Sequence, residues 1–535
     1  MTFPGSLIPV LLALALTSGA GGATQPTESL RMRVERLHDN KTAAIGGVRL
    51  LMPDAVYHFF ETRAFAPAWT TAAAAAEIAR VIEEIDEDGL TPGDYHLAAV
   101  RALQAAPASP ERDADLQIVL TDSLAALVDH VRFGKVRPVE LDRRWNVDAR
   151  EGAAPVEETL AMLAAAPSLR EAIESLKPSH FIYRGLKAAL EAQVAVAAAG
   201  GWPSVPPGPT LRPGSSDPRI AAVRKRLAVT DPDAITGEGT TYDEALAAVV
   251  KAFQERHRLA ADGVIGKATV DAMNVTADYR AAQIRVNLER SRWVLGGLSN
   301  TFALVNLPAF KVYLIRDGKN VWETRAQVGK AGRQTPSFRA DMRYLVFNPD
   351  WTVPPTIMAQ DVLAAMRRGE NAIARKRLTI LDRQGRRMSP AAIDWKTATP
   401  RNFPYTLRQP PGPDNALGRV KFIFPNEHSI FLHDTPSREL FAADERTFSS
   451  GCIRVQAPLD LAALLLEGQG DWDAEKIQQV VDSGKTETVF LTEPLPVLIV
   501  YWTVSVGVSG ELRFARDVYN LDRAVLKALG PGAGS

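Results

Sequence analysis

The sequence predicts a multidomain α+β protein: a helical N-terminal scaffold, a small three-helix domain, and a mainly β domain with an inserted lid. Three observations predict it. The chain has 535 residues, too many for one hydrophobic core. Apolar residues recur at helical spacing up to about Gly200, then change to strand-like runs from Thr301. Between these regions lies a Pro/Gly/Ser-rich stretch, 200–218, followed by a compact unit over 217–275.

The N-terminus has an apolar run from Leu7 to Leu16 and then small residues from Thr17 to Ala23. This pattern matches a secretory signal peptide over residues 1–23, too short to span a bilayer as a relaxed helix. No Lys or Arg precedes Leu7, so an uncleaved N-terminal anchor is the alternative. No later segment has an apolar run long enough to cross a membrane.

Residues 28–200 form the expected helical scaffold. Ile78, Val81, Ile82 and Ile85 recur at helical spacing, and that run stops at Asp86-Glu87-Asp88-Gly89. His38, His58, His96, His130 and His180 stand singly and read as structural or exposed. In the 217–275 unit, helices are expected at Ile220 to Leu227, from Tyr242 to Gln254, and up to Met273, with a tight turn at Asp262-Gly263. Gly266-Lys267 is not a phosphate loop: Ala261 replaces its first glycine and Ala268 its Ser/Thr. Ala281 to Trp293 reads as a charged amphipathic helix.

The β domain is expected over 300–520. Phe302 to Leu307 and Lys311 to Arg316 are strand-like, and Asp317-Gly318 signals a hairpin into a run from Val321. Further strands are expected at Tyr344 to Phe347, Val420 to Phe424, Ser429 to His433, Glu487 to Leu491 and Val497 to Trp502. Helices are expected at Pro458 to Leu466 and Ala474 to Val481. The insertion, 354–413, holds a helix from Ile357 to Arg368, a basic cluster (Arg367, Arg368, Arg375, Lys376, Arg377) and a Pro-rich exit. It is either a lid or a solvated surface excursion.

Basic and acidic side chains balance at 62 each, which argues against a generic polyanion or nucleic-acid binder but does not exclude local basic patches. There is no His-Glu-x-x-His and no cysteine cluster, so neither metal nor cofactor is expected. The single cysteine, Cys452, has no internal disulfide partner. Its options are core packing or nucleophilic chemistry, and the flanking Ser449-Ser450-Gly451 favours the second, since small residues allow a substrate close to the backbone. A free thiol has a pKa of about 8.5 and needs a base to become thiolate near neutrality. His433 is the candidate, at the end of a strand-like run that turns at Asp434-Thr435-Pro436. His428, an odd number of positions earlier, falls on the opposite face of such a strand. Spacing alone leaves a buried structural histidine open as the reading of His433.

Phe253-Gln254, Asp262-Gly263-Val264-Ile265-Gly266 and Thr269 resemble the small three-helix peptidoglycan-binding domain, either a working copy or a spacer. Four further motifs stand in order: Asn348-Pro349-Asp350-Trp351-Thr352-Val353-Pro354, Asn415-Ala416-Leu417-Gly418, His433-Asp434-Thr435-Pro436 and Ser449-Ser450-Gly451-Cys452-Ile453-Arg454-Val455. This set resembles the catalytic domain of L,D-transpeptidases, the cysteine enzymes that cross-link peptidoglycan. It is most similar to the large periplasmic subgroup with Ser-Ser-Gly-Cys. The resemblance implies a periplasmic acyltransferase acting on peptidoglycan stem peptides and acylated by carbapenem-type inhibitors. Cys452 would take the acyl group from a tetrapeptide stem and pass it to a stem amine. His433 would be base and acid, oriented by the backbone carbonyl of Asp434. Backbone N–H groups at Gly451 and Cys452 would bind the oxyanion. Ser450, Arg454, Trp351 and Phe431 are the candidate substrate contacts. Ser450 stands where many relatives carry histidine, so no role carries over to it. Arg454 reads equally as a grip on a stem carboxylate or as a structural ion-pair partner, and Trp351 and Phe431 as groove lining or core. The alternatives are an L,D-carboxypeptidase, a transpeptidase attaching stems to a protein lysine, and a non-catalytic wall-binding protein.

Overall fold

The computed structural model describes residues 25–41, 44–235, 239–507 and 510–530. The expected signal peptide, 1–23, lies outside them. The chain folds as two compact units. The first comprises most of the chain to Leu176, without 86–90 and 131–153, and is helical. Its core includes Val56, Phe59, Phe60, Ile78, Ile82, Leu124 and Leu127, all buried. The helix Ala72–Glu83 is capped by the Thr71 hydroxyl, which accepts from the Ala74 N–H. His96 is structural: its ring bonds to buried Asp122 at 2.8 Å, and that carboxylate also accepts from the Leu51 and Met52 N–H groups.

The second unit takes in 86–90, 131–153 and everything from Lys177. Its central helix, Ala277–Leu295, corrects the amphipathic reading. Arg280, Glu289, Arg290 and Arg292 are all buried, because the charges find partners brought by the fold. Arg290 pairs with Asp522 at 2.5 Å, and Arg292 with Glu289 at 3.0 Å and with the Tyr183 hydroxyl. The helix Phe181–Ala198 belongs to this unit rather than to the first.

The three-helix domain has helices Arg219–Ala228, Glu244–Arg256 and Lys267–Met273 around Ile220, Val223, Leu227, Leu246, Val250, Phe253, Ile265 and Met273. Its motif residues hold the fold. Buried Gln254 donates to the Val264 carbonyl at 2.9 Å and the Thr269 hydroxyl at 3.2 Å, and accepts from the Gly263 N–H at 2.9 Å. A buried amide left without such partners would be costly.

The β domain is a closed eight-stranded barrel. Its strands are β1 (Phe302–Asn306), β2 (Lys311–Arg316), β3 (Lys319–Gln327), β4 (Phe338–Phe347), β5 (Val420–Ile423), β6 (Leu432–His433), β7 (Ile453–Val455) and β8 (Glu487–Val500). Around the barrel the order is β5-β6-β7-β3-β2-β1-β8-β4. The β6–β7 and β1–β8 pairs are parallel and the others antiparallel. Alternate residues such as Val312 and Leu314 point into the core, which Leu461 and Leu465 of the helix Pro458–Leu466 complete.

Three local expectations change. The two late strands are one, β8, with a register shift between Phe490 and Leu495 where Pro494 interrupts the ladder. β6 has only two residues, because the Asn426 side chain takes over the main chain of Ile430, accepting from its N–H and donating to its carbonyl. The insertion is not a solvated excursion. It has its own core (Trp351, Val353, Val362, Leu363, Ile373, Ile380, Phe403, Leu407) and an antiparallel sheet. That sheet runs Trp351–Thr352, Thr406–Gln409, Thr379–Leu381, Arg387–Met388. The expected helix from Ile357 runs without a gap from Pro355 to Arg367 and contains a π-helical turn over Met358–Leu363. In the basic cluster, Arg368 and Arg375 pair with Glu370, and Arg377 with Asp414.

Candidate active site

Register sets the strand that ends at His433 beside the strand that follows Cys452. In the parallel β6–β7 pair, Leu432 lies beside Ile453 and His433 beside Arg454. Leu432 and Ile453 point into the barrel core. Because strand side chains alternate, His433 and Arg454 share the opposite face, while Phe431 and Cys452 immediately precede the two strands and pack against the barrel core. Cys452 is the position beside Phe431 and so a diagonal neighbour of His433. The His433 Nδ1–H donates to the Asp434 carbonyl at 2.5 Å, which leaves Nε2 unprotonated in the neutral ring.

The Asp434 side chain is engaged elsewhere. Its Oδ2 accepts from the Arg419 N–H and from Arg419 Nε, both at 2.9 Å, and Arg438 bonds to the same carboxylate at 3.0 Å. Room for it comes from Gly418, at φ +63, where a Cβ would lie 2.4 Å from that of Asp434. The Asn415 motif builds this approach: Asn415 donates to the Pro410 carbonyl and accepts from the Leu417 N–H, both at 2.8 Å. Asn348 holds the other end of the insertion, donating to the Val480 and Lys485 carbonyls as β4 ends.

The Cys452 loop is fixed by hydroxyls. The Ser449 hydroxyl donates to the Cys452 carbonyl at 2.5 Å, and Thr335 donates to the Gly451 carbonyl at 2.7 Å. Gly451 sits at φ +121, a conformation that side-chain-bearing residues rarely take. Its N–H donates to Ser449 Oγ at 3.1 Å, so this expected oxyanion donor is already engaged.

Electrostatics favour an uncharged resting pair. Burial pushes His433 down to about 3, with Arg454 adding to the effect. Burial pushes the Cys452 thiol up to about 11, against a main-chain hydrogen bond with Phe431 and the Arg454 charge. The half-buried thiol lies 3.7 Å from the Ser429 carbonyl.

Comparison with known proteins identifies the domains. Residues 54–190 match the scaffold domain model, 216–273 the putative peptidoglycan-binding domain, and 300–484 the L,D-transpeptidase catalytic domain. The chain carries an L,D-transpeptidase catalytic domain. A putative L,D-transpeptidase of Haemophilus influenzae is 35% identical over 243 residues, 45% of this chain and 48% of that protein. The match thus spans about half the length of the curated relative. The solved L,D-transpeptidase fragment (residues 123–326) of Xylanimonas cellulosilytica aligns at 16% identity over 55% of this chain and all of its own length. Its TM-score is 0.17, too low to carry an argument.

Within the L,D-transpeptidase domain the remaining candidates separate. Phe431 lies 5.6 Å from the His433 ring and packs against both the barrel core and the insertion core. Trp351 does not line a groove: it is buried in the insertion core, on the strand that pairs with Thr406–Gln409. Arg454 has no carboxylate partner among the described residues. Its Nη1 donates to Gln327 at 3.1 Å and its buried Nε has no protein acceptor, so the ion-pair reading is set aside. His428 lies away from the site because it sits in a turn, with its ring 5.0 Å from Phe338, and not on the opposite face of a strand.

Sequence reasoning missed Arg333. It extends from the β3–β4 connection to Asp361 through two bonds, at 2.7 and 2.8 Å, to Gln360 at 2.7 Å, and to exposed Ser450 at 2.8 Å. Asp361 and Gln360 are on the π-helical turn of the insertion, a distortion often found at functional sites. One guanidinium thereby joins the insertion to the Cys452 loop.

Proposed function

We propose that the protein is an L,D-transpeptidase that cross-links peptidoglycan through an acyl-enzyme on Cys452. The observation that carries this reading is the β6–β7 register, which sets Cys452 diagonally beside His433 while Asp434 fixes the imidazole tautomer. The Cys452 proton passes to His433 Nε2 as sulfur attacks the carbonyl of the third stem residue. The tetrahedral intermediate collapses, the imidazolium protonates the departing D-alanine amine, and a thioester remains. An acceptor stem amine then attacks the thioester, giving its proton to His433, and the thiol is regenerated.

The low proton affinity of buried His433 makes the imidazolium a strong acid toward the leaving amine, and the high one of Cys452 keeps the resting thiol protected. The Cys452 N–H is the remaining loop donor for the oxyanion, since that of Gly451 is occupied. Arg454, beside His433 and without a carboxylate partner among the described residues, is suited to a stem carboxylate. The insertion, held by Arg333, acts as a lid over the stem. An exported, periplasmic location agrees with such a substrate.

The test is muropeptide analysis after incubation with purified tetrapeptide-rich wall. Cross-linked dimers, absent with Cys452→Ala, are expected. Tripeptides alone would replace transpeptidation with hydrolysis, and an unchanged wall would overturn the enzymatic reading.

A further inference from the structure

The second unit contains a cleft of about 560 Å³ between the three-helix domain and the barrel, lined by residues of both. Five arginines and Lys311 line it; Lys311 pairs with Glu323 and Arg513 with Glu511. Three of the arginines carry the argument: Arg258 from the three-helix domain, Arg325 from β3, and Arg446 from the segment leading into the Cys452 loop. None of the three is in an ion pair among the described residues. Arg258 reaches only the Tyr313 hydroxyl, at 3.2 Å, and its buried Nε has no acceptor. Arg325 donates to the Phe441 carbonyl, and Arg446 to the carbonyls of Ala326, Ala443 and Phe310. Arg446 is pushed down to about 10 by burial first and then by Arg325, with Asp444 opposing the shift and Arg258 adding to it. Three guanidinium groups without a direct ion pair in one cleft favour an anion, and their forks match carboxylates.

The rim also carries Glu255, Asp444 and Glu445, all exposed. These carboxylates disfavour a uniform polyanion and suit a ligand of mixed charge. We propose that this cleft binds a zwitterionic wall stem peptide, its carboxylates on Arg258, Arg325 and Arg446 and its free amine toward the acidic rim. It is a second peptide site, separate from the thiol. This rests on the proposed peptidoglycan substrate. It gives the three-helix domain a shared binding surface with the barrel, and it reaches the catalytic loop through Arg446, whose main-chain carbonyl accepts from the Val328 N–H.

The test titrates the full chain, after Cys452 has been acylated by a carbapenem, with a soluble tetrapeptide stem bearing a free side-chain amine. Adduct formation reports the proposed active site by itself. If no adduct forms, that reading has failed, and the titration is run on Cys452→Ala. A binding event at 1:1 stoichiometry is expected. Arg258→Gln and Arg325→Gln should each weaken it at least tenfold while the adduct still forms, which shows that the barrel is folded. Amidating the stem carboxylates or acetylating its amine should each weaken it similarly. No binding to the acylated protein, unchanged affinity in both arginine variants, or equal competition by inorganic phosphate would overturn the proposal.

Discussion

His433 Nδ1 donates to the carbonyl of Asp434 at 2.5 Å, while the Asp434 carboxylate is held by Arg419 and Arg438. The main chain orients the imidazole and the side chain braces the turn. Asp434→Ala should therefore lower stability by about 1–3 kcal/mol through the unmatched Arg419 and its N–H, yet leave the rate of Cys452 acylation within tenfold. His433→Gln should slow acylation by about 10²–10⁴. Thermal melts and the rate of adduct formation by mass spectrometry separate the two effects. An Asp434→Ala protein that folds but loses acylation as completely as His433→Gln would show that the carboxylate takes part.

Arg333 ties Asp361 and Gln360 of the insertion to Ser450 of the nucleophile loop. Arg333→Met should raise KM for a tetrapeptide stem about tenfold or more, with a smaller change in kcat, because stem binding loses its cover. Ser450→Ala removes one of these bonds and should act more weakly. Since Arg333 and Asp361 act as one pair, combining Arg333→Met with Asp361→Asn should add little to the single change. Additive losses would show two independent roles.

Gly418 and Gly451 hold the site from either side. Alanine at 418 would place Cβ 2.4 Å from the Asp434 Cβ, and alanine at 451 would meet Ile430 at 3.2 Å, both in left-handed backbone. Each substitution should cost roughly 1–3 kcal/mol and slow adduct formation, Gly418→Ala by turning Asp434 and Gly451→Ala by shifting the Cys452 amide. Normal melting and normal acylation in Gly418→Ala would show that the turn is less constrained.

Titration follows from burial. Alkylation of Cys452 by iodoacetamide should rise about tenfold per pH unit from 7 and level off near 11, the thiol's raised value. A plateau already reached near pH 7 would reveal a preformed thiolate–imidazolium pair. His433 titrates near 3 when folded against 6.5 as a free group. The unfolded chain therefore binds the extra proton between these values. This stabilisation is complete above about pH 6.5 and is lost as pH falls toward 3, by roughly 5 kcal/mol in all. His433→Gln should flatten the acid limb of Tm against pH, and an unchanged limb would assign it to other groups.

The candidate pair stood out because chemistry restricts it: a lone cysteine after Ser-Ser-Gly and a histidine entering a turn leave few other roles. The barrel strands were legible from alternation, and the three-helix domain from Phe253-Gln254 and Asp262-Gly263. Arg333 was not legible, because its partners lie across a chain insertion and a bifurcated guanidinium contact has no local pattern. The charges of Ala277–Leu295 misled for a related reason. Spacing suggests a solvated face, whereas Asp522, far away in sequence, neutralises Arg290, and Glu289 and the Tyr183 hydroxyl hold Arg292 inside the protein. Trp351 shows the converse, an aromatic beside a site motif that turns inward to its own core.

The central claim is that Cys452 carries the acyl group. Intact-mass and peptide mapping after brief incubation with a tetrapeptide stem, quenched in acid, test it most directly. The account predicts a mass increase equal to the stem minus its terminal D-alanine, located on the Cys452 peptide and absent from Cys452→Ala. An adduct on another residue, or cross-linking retained by Cys452→Ala, would contradict it.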